Sequence, residues 1–226
     1  MLKPQFLENE TYHIYNRGVE KRKIFLDDKD YFRFIHDLFE FNDENPAFNV
    51  GYYFNSGQLK NIRKPRKLLV EILIFTLMPN HFHLLLRQER GNGIVKFMQK
   101  LGTGYTMHFN QKYERVGSLF QGRFKAKLIN KNSYFFHIPH YIHLNPLELI
   151  YGGSTSIDWR KAMKFLENYR WSSFLDYIGK RNFPSVTSRN FLLKFLGGEK
   201  NYREETKKWL EEKEKNTDEI KNIILD

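Results

Sequence analysis

The chain has 226 residues, of which 41% are hydrophobic and 16% aromatic, with 14 Gly, 7 Pro and no Cys. That is enough apolar material for a core of its own, and it excludes a disulfide scaffold, a thiolate metal site and a cysteine nucleophile. The net charge of +11 is unevenly placed: residues 199–226 hold seven Lys/Arg against nine Asp/Glu, so residues 1–198 carry +13. A basic body suits a polyanionic partner, nucleic acid first among them. The opening residues lack a signal-peptide core, and no apolar run approaches the roughly 18 residues of a membrane span, so no membrane partner is expected. The absence of Cys fits a reducing compartment, and the cytoplasm is the expected location.

Tyr12 to Tyr15 forms a short aromatic and β-branched run ending at Asn16-Arg17-Gly18, the pattern of a first strand and turn. Asp27 or Asp28 can cap the helix that follows, whose buried face is Tyr31, Phe34, Ile35 and Leu38, and Asn42 to Pro46 ends it. Lys60 to Lys67 packs five basic residues around Pro65 and reads as an exposed loop. Val70 to Met78 and His81 to Leu86 are β-leaning runs separated by Pro79-Asn80, as two central antiparallel strands joined by a tight turn would be. From Gly93, residues Ile94, Met98, Leu101, Tyr105 and His108 recur on one helical face, with Gly102 and Gly104 each costing about 1 kcal/mol relative to Ala. Phe124 to Ile129 alternates like a further strand, and Ser133 to Asn145 reads as a second long helix, in which Pro139 kinks the helix or begins a new one. The order β, α, β, β, α, β, α predicts an α+β protein with a ferredoxin-like antiparallel sheet and helices packed on one face. Residues 199–226 form the tail of the chain. Both signs of charge recur there at helical spacing, with Trp209, Leu210, Ile220, Ile223 and Ile224 as its apolar handles, so it reads as a mostly solvated helix or a partner-binding one.

His81 and His83 stand two apart on a strand, so both imidazoles leave the same face while Phe82 points into the other layer. Alone, the pair fits two packed histidines as well as two metal ligands. Tyr141 and Asn145 are four apart on the late helix and share a face. Packed over the sheet, Asn145 would add an amide oxygen to the two imidazoles, a donor set for a divalent ion such as Mg²⁺ or Mn²⁺, with the Tyr141 phenol beside it as a nucleophile toward phosphorus. A Tyr in an aromatic helix is also an ordinary packing residue.

Four blocks carry a resemblance: Met78-Pro79-Asn80-His81-Phe82-His83-Leu84-Leu85-Leu86, Gly117-Ser118-Leu119-Phe120-Gln121-Gly122-Arg123-Phe124-Lys125, Tyr141-Ile142-His143-Leu144-Asn145-Pro146 and Tyr169-Arg170-Trp171-Ser172-Ser173. With Tyr12 to Gly18 in front of them, they resemble the REP-associated tyrosine transposases, relatives of the single-tyrosine HUH transposases, over about residues 10–178. The resemblance implies a metal-dependent single-stranded DNA endonuclease and strand transferase acting at hairpin-forming DNA, commonly as a homodimer. It makes His81 and His83 the histidine ligands, Asn145 the third ligand and Tyr141 the nucleophile. It also implies a catalytic domain over residues 1–150 and a C-terminal helical extension over 151–226. One departure stands out: Leu147-Glu148-Leu149-Ile150 follows Pro146 where the family usually carries an Arg, which removes a positive charge near the expected scissile phosphate.

Arg123, Lys125 and Lys127 alternate with Phe124 and Ala126, so they share one basic face suited to a DNA backbone. The cluster holding Arg63, Lys64, Arg66 and Lys67 is either a second backbone grip or a solvated loop. Tyr105 and Phe109 fit core packing or stacking on unpaired bases. His143 falls on another helical face from Tyr141 as a packing or surface group, and His13 is a candidate supporting or DNA-contacting residue. Two rival readings keep the fold: a DNA-hairpin-binding regulator without catalysis, and a metal-dependent phosphoesterase that uses activated water and needs no tyrosine.

Overall fold

Residues 5–46, 65–130, 132–152 and 156–215 are described by the computed structural model. Arg63 and Lys64, and Ile220, Ile223 and Ile224 of the tail, lie outside the described residues. Four strands, β1 (Thr11–Arg17), β2 (Val70–Met78), β3 (His81–Gln88) and β4 (Lys125–Leu128), form one sheet in the order β2-β3-β1-β4. Every neighbouring pair is antiparallel. With α1 (Asp28–Glu40) between β1 and β2 and α2 (Gly93–Lys112) between β3 and β4, this is the ferredoxin-like arrangement that the alternation of elements predicts.

The strands form where β-branched, aromatic and leucine side chains alternate between two faces. On one face, Tyr12, Ile14, Phe75, Leu77, Phe82, Leu84 and Leu86 pack against α1 and α2 in a single apolar cluster. Each large side chain buried there stabilises the fold by about 1.5–3 kcal/mol. Asp27 caps α1, accepting from the Asp30 backbone N–H at 3.0 Å. The buried Asp30 carboxylate in turn accepts from Lys112 at 2.7 Å and Tyr113 at 2.8 Å, which ties the start of α1 to the end of α2. Gly104 weakens α2 by propensity but is needed by packing: a Cβ there would lie 2.5 Å from the Phe41 ring at the end of α1. Tyr105 and Phe109 are 0% and 2% exposed, which makes them core residues and removes them as a base-stacking surface.

The second face is covered as well. A bulge in β2 between Ile72 and Ile74 turns both Leu73 and Ile74 toward it. There they join Leu85, Ile138, Ile142 and Leu144 of α3 (Asn132–Leu144) and a run of C-terminal helices. These helices are α4 (Glu148–Tyr151), α5 (Trp159–Leu166), α6 (Phe174–Tyr177), α7 (Asn190–Phe195) and α8 (Gly198–Lys215). The two crossover helices thus occupy one face, as expected, and α3 with the C-terminal helices supplies a second layer on the other.

Three local expectations are refined. Helix α3 runs unbroken through Pro139, so no new helix begins there. It stops at Leu144 and passes into a 3-10 turn over Asn145–Leu147, because Pro146 lacks a donor and disfavours the α conformation at the residue before it. Helix α8 is solvated along most of its surface but buries one side: Tyr202, Thr206 and Leu210 are at most 1% exposed against α3 and its neighbours. Tyr202 and Thr206 counted as polar in the sequence pattern, although a phenol or a hydroxyl buries readily once it finds a partner. Among the described residues no helix is long and apolar enough to cross a membrane.

Candidate active site

The register across the sheet fixes which side chains share the face beneath α3. Met78, His81 and Arg17 stand in one row; Thr76, His83, Tyr15 and Lys125 in the next; Ile74, Leu85, His13 and Lys127 in a third. Three antiparallel pairings therefore bring three histidines, an arginine, a tyrosine and two lysines onto one end of one face. Tyr141 and Asn145 come down on it from α3 and the turn after it.

His81 and His83 stand with ring centroids 5.0 Å apart and planes at 88°. Asn145 Oδ1 is 3.1 Å from His81 Nε2, and Asn80 Oδ1 is 2.6 Å from His81 Nδ1. The Asn80 amide nitrogen faces the Lys21 carbonyl at 3.4 Å, which supports that orientation of the amide. Both nitrogens of His81 thus face amide oxygens, and an imidazole with a single N–H can donate to only one of them. With the proton given to Asn80, the Nε2 lone pair meets the Asn145 oxygen, an arrangement that suits a cation held between them. Two ligands of one octahedral ion at about 2.1 Å each are about 3 Å apart, close to the separation seen.

His83 gives the second sign. It is 1% exposed, and its Nδ1 lies 2.9 Å from His13 Nε2. Its Nε2 is buried with no hydrogen-bond partner among the described residues. Burial, then the neighbouring His13, His81 and Arg17, hold its pKa well below the ordinary histidine value; the nearby Asn145 amide pulls weakly the other way, outside hydrogen-bonding geometry at Nε2. A neutral ring with one orphaned nitrogen has the state and the vacancy of a metal ligand. Among the described residues no three His, Cys, Asp or Glu side chains cluster as a metal-binding group, so an ion here needs the Asn145 oxygen. The set of two imidazole nitrogens and one amide oxygen fits a divalent cation.

Tyr141 packs edge-on against both His13, centroids 5.6 Å apart, and His83, 5.9 Å apart. One chain therefore supplies the two histidines, the amide and the phenol together. On the other side of α3, His143 is fully buried, with Nδ1 2.7 Å from Tyr202 Oη and Nε2 2.8 Å from Ser173 Oγ. His140 lies between the Tyr202 and Trp209 rings, and burial pushes its pKa down to about 4.

The basic candidates divide. Lys125 and Lys127 are exposed and in register with Tyr15 and His13 on the edge strand, beside the site. Lys125 also stands over the Tyr15 ring at 5.6 Å. Arg123, also exposed, precedes β4 and lines a groove of about 1020 Å³ on the α2 side of the sheet instead of sharing the face of the two lysines. Arg66 and Lys67 sit before Val70, at the end of β2 remote from Met78 and hence from His81. The Arg66 guanidinium stacks on Phe39 and donates to the Asn42 carbonyl at 3.1 Å, a contact that ties its segment to α1.

Sequence reasoning passed over Arg17 and Tyr15. The signal was present: in Thr11, His13, Tyr15 and Arg17 the polar residues alternate with Tyr12 and Ile14, so β1 has one apolar and one functional face.

A profile of the family described as transposase, IS200-like, matches residues 59–145, a stretch that contains His81, His83, Tyr141 and Asn145. No curated protein matches the sequence. Among solved structures, the REP-associated tyrosine transposase bound to a REP hairpin is similar at 13% identity, with 83% of this chain and 90% of that one covered and a TM-score of 0.47. A Deinococcus radiodurans protein described as a candidate transposase is similar at 14% identity, with 63% and 95% covered and a TM-score of 0.35.

Proposed function

We propose, from the membership of residues 59–145 in the IS200-like transposase family, that the chain cleaves single-stranded DNA at hairpin-forming sequences and joins the cut end to another strand. The observation that carries this reading is the meeting of Tyr141 with His83, His81 and Asn145 on one face of the sheet. His81 Nε2, His83 Nε2 and Asn145 Oδ1 would hold Mg²⁺ or Mn²⁺. Such an ion, when bound, supplies Lewis-acid polarisation of the scissile phosphate and offsets the charge that develops on it.

The chain's own groups do the rest. For its Nε2 lone pair to be available, His83 carries its proton on Nδ1 and donates it to His13 Nε2, which makes His13 the group that sets the ring's tautomer. Asn80 does the same for His81. Tyr141 Oη forms a bond to phosphorus as one sugar oxygen leaves, giving a phosphotyrosine and a freed hydroxyl; a hydroxyl of a second strand then attacks that phosphorus and returns the phenol. Arg17, level with His81, brings positive charge to the site where the segment after Pro146 lacks it, and Lys125 and Lys127 would grip the flanking phosphates. The four principal groups come from one chain, so a homodimer, implied by family resemblance, is not needed to assemble the site.

Incubation of the purified protein with Mn²⁺ and hairpin-containing oligonucleotides tests the reading. A covalent protein–DNA adduct is expected with the wild type and none with Tyr141→Phe, while hairpin affinity stays unchanged. A Tyr141→Phe protein that still cleaves would point to activated water instead, and one that still cross-links would remove Tyr141 as nucleophile.

A further inference from the structure

The Tyr169–Ser173 motif takes no part in the chemistry above, and it lies outside the stretch that matches the family. Its backbone runs along the outer edge of β2: Leu77 N–H donates to the Trp171 carbonyl at 2.9 Å and Ser173 N–H to the Phe75 carbonyl at 2.9 Å. The Tyr169 hydroxyl donates to the Leu77 carbonyl at 2.6 Å, and Trp171 stacks on Tyr31 at 4.5 Å. Covering an edge strand explains the backbone. It does not explain the Ser173 side chain, which turns inward to His143.

One proton arrangement satisfies every group of the buried chain that results. The Phe75 N–H donates to Ser173 Oγ at 3.1 Å and the Ser173 hydroxyl donates to the Phe75 carbonyl at 3.2 Å. His143 Nε2–H then donates to Ser173 Oγ at 2.8 Å, and the Tyr202 hydroxyl donates to His143 Nδ1 at 2.7 Å. His143, Ser173 and Tyr202 are 0%, 0% and 1% exposed, so no water competes for these bonds and each broken link leaves a buried polar group unmet. The chain joins α8, α3, the Tyr169–Ser173 segment and β2 through one connected series of side-chain hydrogen bonds.

We propose that Tyr202, His143 and Ser173 form a positioning lock that sets the rotation and height of α3, and through it the aim of Tyr141 and Asn145. His143 is two residues after Tyr141 and two before Asn145. At about 100° per residue it leaves the helix on roughly the opposite side from both. A turn or slide of α3 that carries the phenol and the amide away from the two sheet histidines must break the His143 bonds first. His140, one turn earlier on the locked side, adds the ring stack on Tyr202 and Trp209 at 4.7 and 5.0 Å. The proposal rests on the nuclease reading for its consequence but not for its geometry.

The test pairs Tyr202→Phe, which removes one hydroxyl and keeps the ring, with Leu210→Ala, which destabilises the same helix through a fully buried side chain remote from His143 in the hydrogen-bonded series. Should the Phe variant fail to fold, Ser173→Ala interrupts the chain at its other end. Two readouts are taken well below each melting temperature. Hydrogen exchange of amides 141–145 and 147 is expected to quicken about tenfold or more in the lock variant relative to Leu210→Ala. The rate of adduct formation is expected to fall by about 10- to 100-fold, the cost of misplacing a reacting group by about an ångström, with hairpin affinity unchanged. Equal exchange in the two variants overturns the lock whether or not the wild type forms an adduct. Faster exchange in a protein whose wild type forms no adduct sustains the lock and overturns the nuclease reading instead.

Discussion

The two faces of the sheet are built from the same strands and serve opposite ends. Beneath α1 and α2 the inward residues Phe82, Leu84 and Leu86 of β3 are apolar and at most 2% exposed, and the polar Gln88 at the strand's end is buried with its amide donating to the Phe6 carbonyl at 2.8 Å. Beneath α3 the alternate residues His81 and His83 are just as buried, at 7% and 1%, but polar, and only Leu85 belongs to the apolar cluster there. Burial without partners costs a polar group about 1–3 kcal/mol, so the second face carries a cost that the first one offsets. The lesson is that one strand can hold a stabilising side and a reactive side a single residue apart, because side chains alternate.

Exchanging adjacent residues of β3 breaks that comparison most sharply. His83→Ala should remove all metal-dependent cleavage, as followed by oligonucleotide gel assay, while the melting temperature changes little, since the lost imidazole includes an unmet nitrogen. Phe82→Ala should do the reverse: denaturant titration should show a loss of about 3–5 kcal/mol, the usual cost of a Phe truncated in a core, with adduct formation retained under conditions where the variant is folded.

The seam between α3 and α8 should also be pH-sensitive. His140 titrates near 6.5 when unfolded and at about 4 in the fold, because burial disfavours its charged form. The folded-state value is the lower one, so the unfolded chain takes up the proton first. The stability that His140 contributes is full above pH 6.5 and falls by about 1.4 kcal/mol per pH unit as pH drops toward 4. Urea titrations at a series of pH values should show that slope, and His140→Gln should reduce it by about one proton's worth.

The smallest effect is expected at the edge strand. Lys127→Ala should weaken binding to single-stranded DNA of any sequence and lower the slope of log affinity against log salt by about 0.7, measured by fluorescence anisotropy. The same substitution at Lys67, at the far end of β2, should leave that slope unaltered.

Spacing alone shows which of these side chains share a face, and the roles given to them come from the family resemblance. The two-residue interval of His81 and His83 and the four-residue interval of Tyr141 and Asn145 each define a shared face, and local geometry preserves such intervals whatever the tertiary fold. The alternation of β1 also carries Tyr15 and Arg17, but the strand propensity of the run says nothing of what its polar side meets. Arg66 and Lys67 lie apart from the histidines because the length of β2 separates them, and adjacency in a charged segment says nothing of distance across a sheet. The packing of α8 could not be read, since Tyr202 and Ser173 lie 59 and 30 residues from His143 and hydrogen-bonded partners so far apart leave no periodicity.

The central claim is that the Tyr141 phenol becomes the covalent link to DNA, and peptide mapping of the protein–DNA adduct measures it most directly. After Mn²⁺-dependent reaction, nuclease trimming and proteolysis, mass spectrometry should find a nucleotide phosphate on the peptide containing Tyr141 and on no other tyrosine. A nucleotide on a different tyrosine, or efficient cleavage that leaves every tyrosine unmodified, would contradict the account.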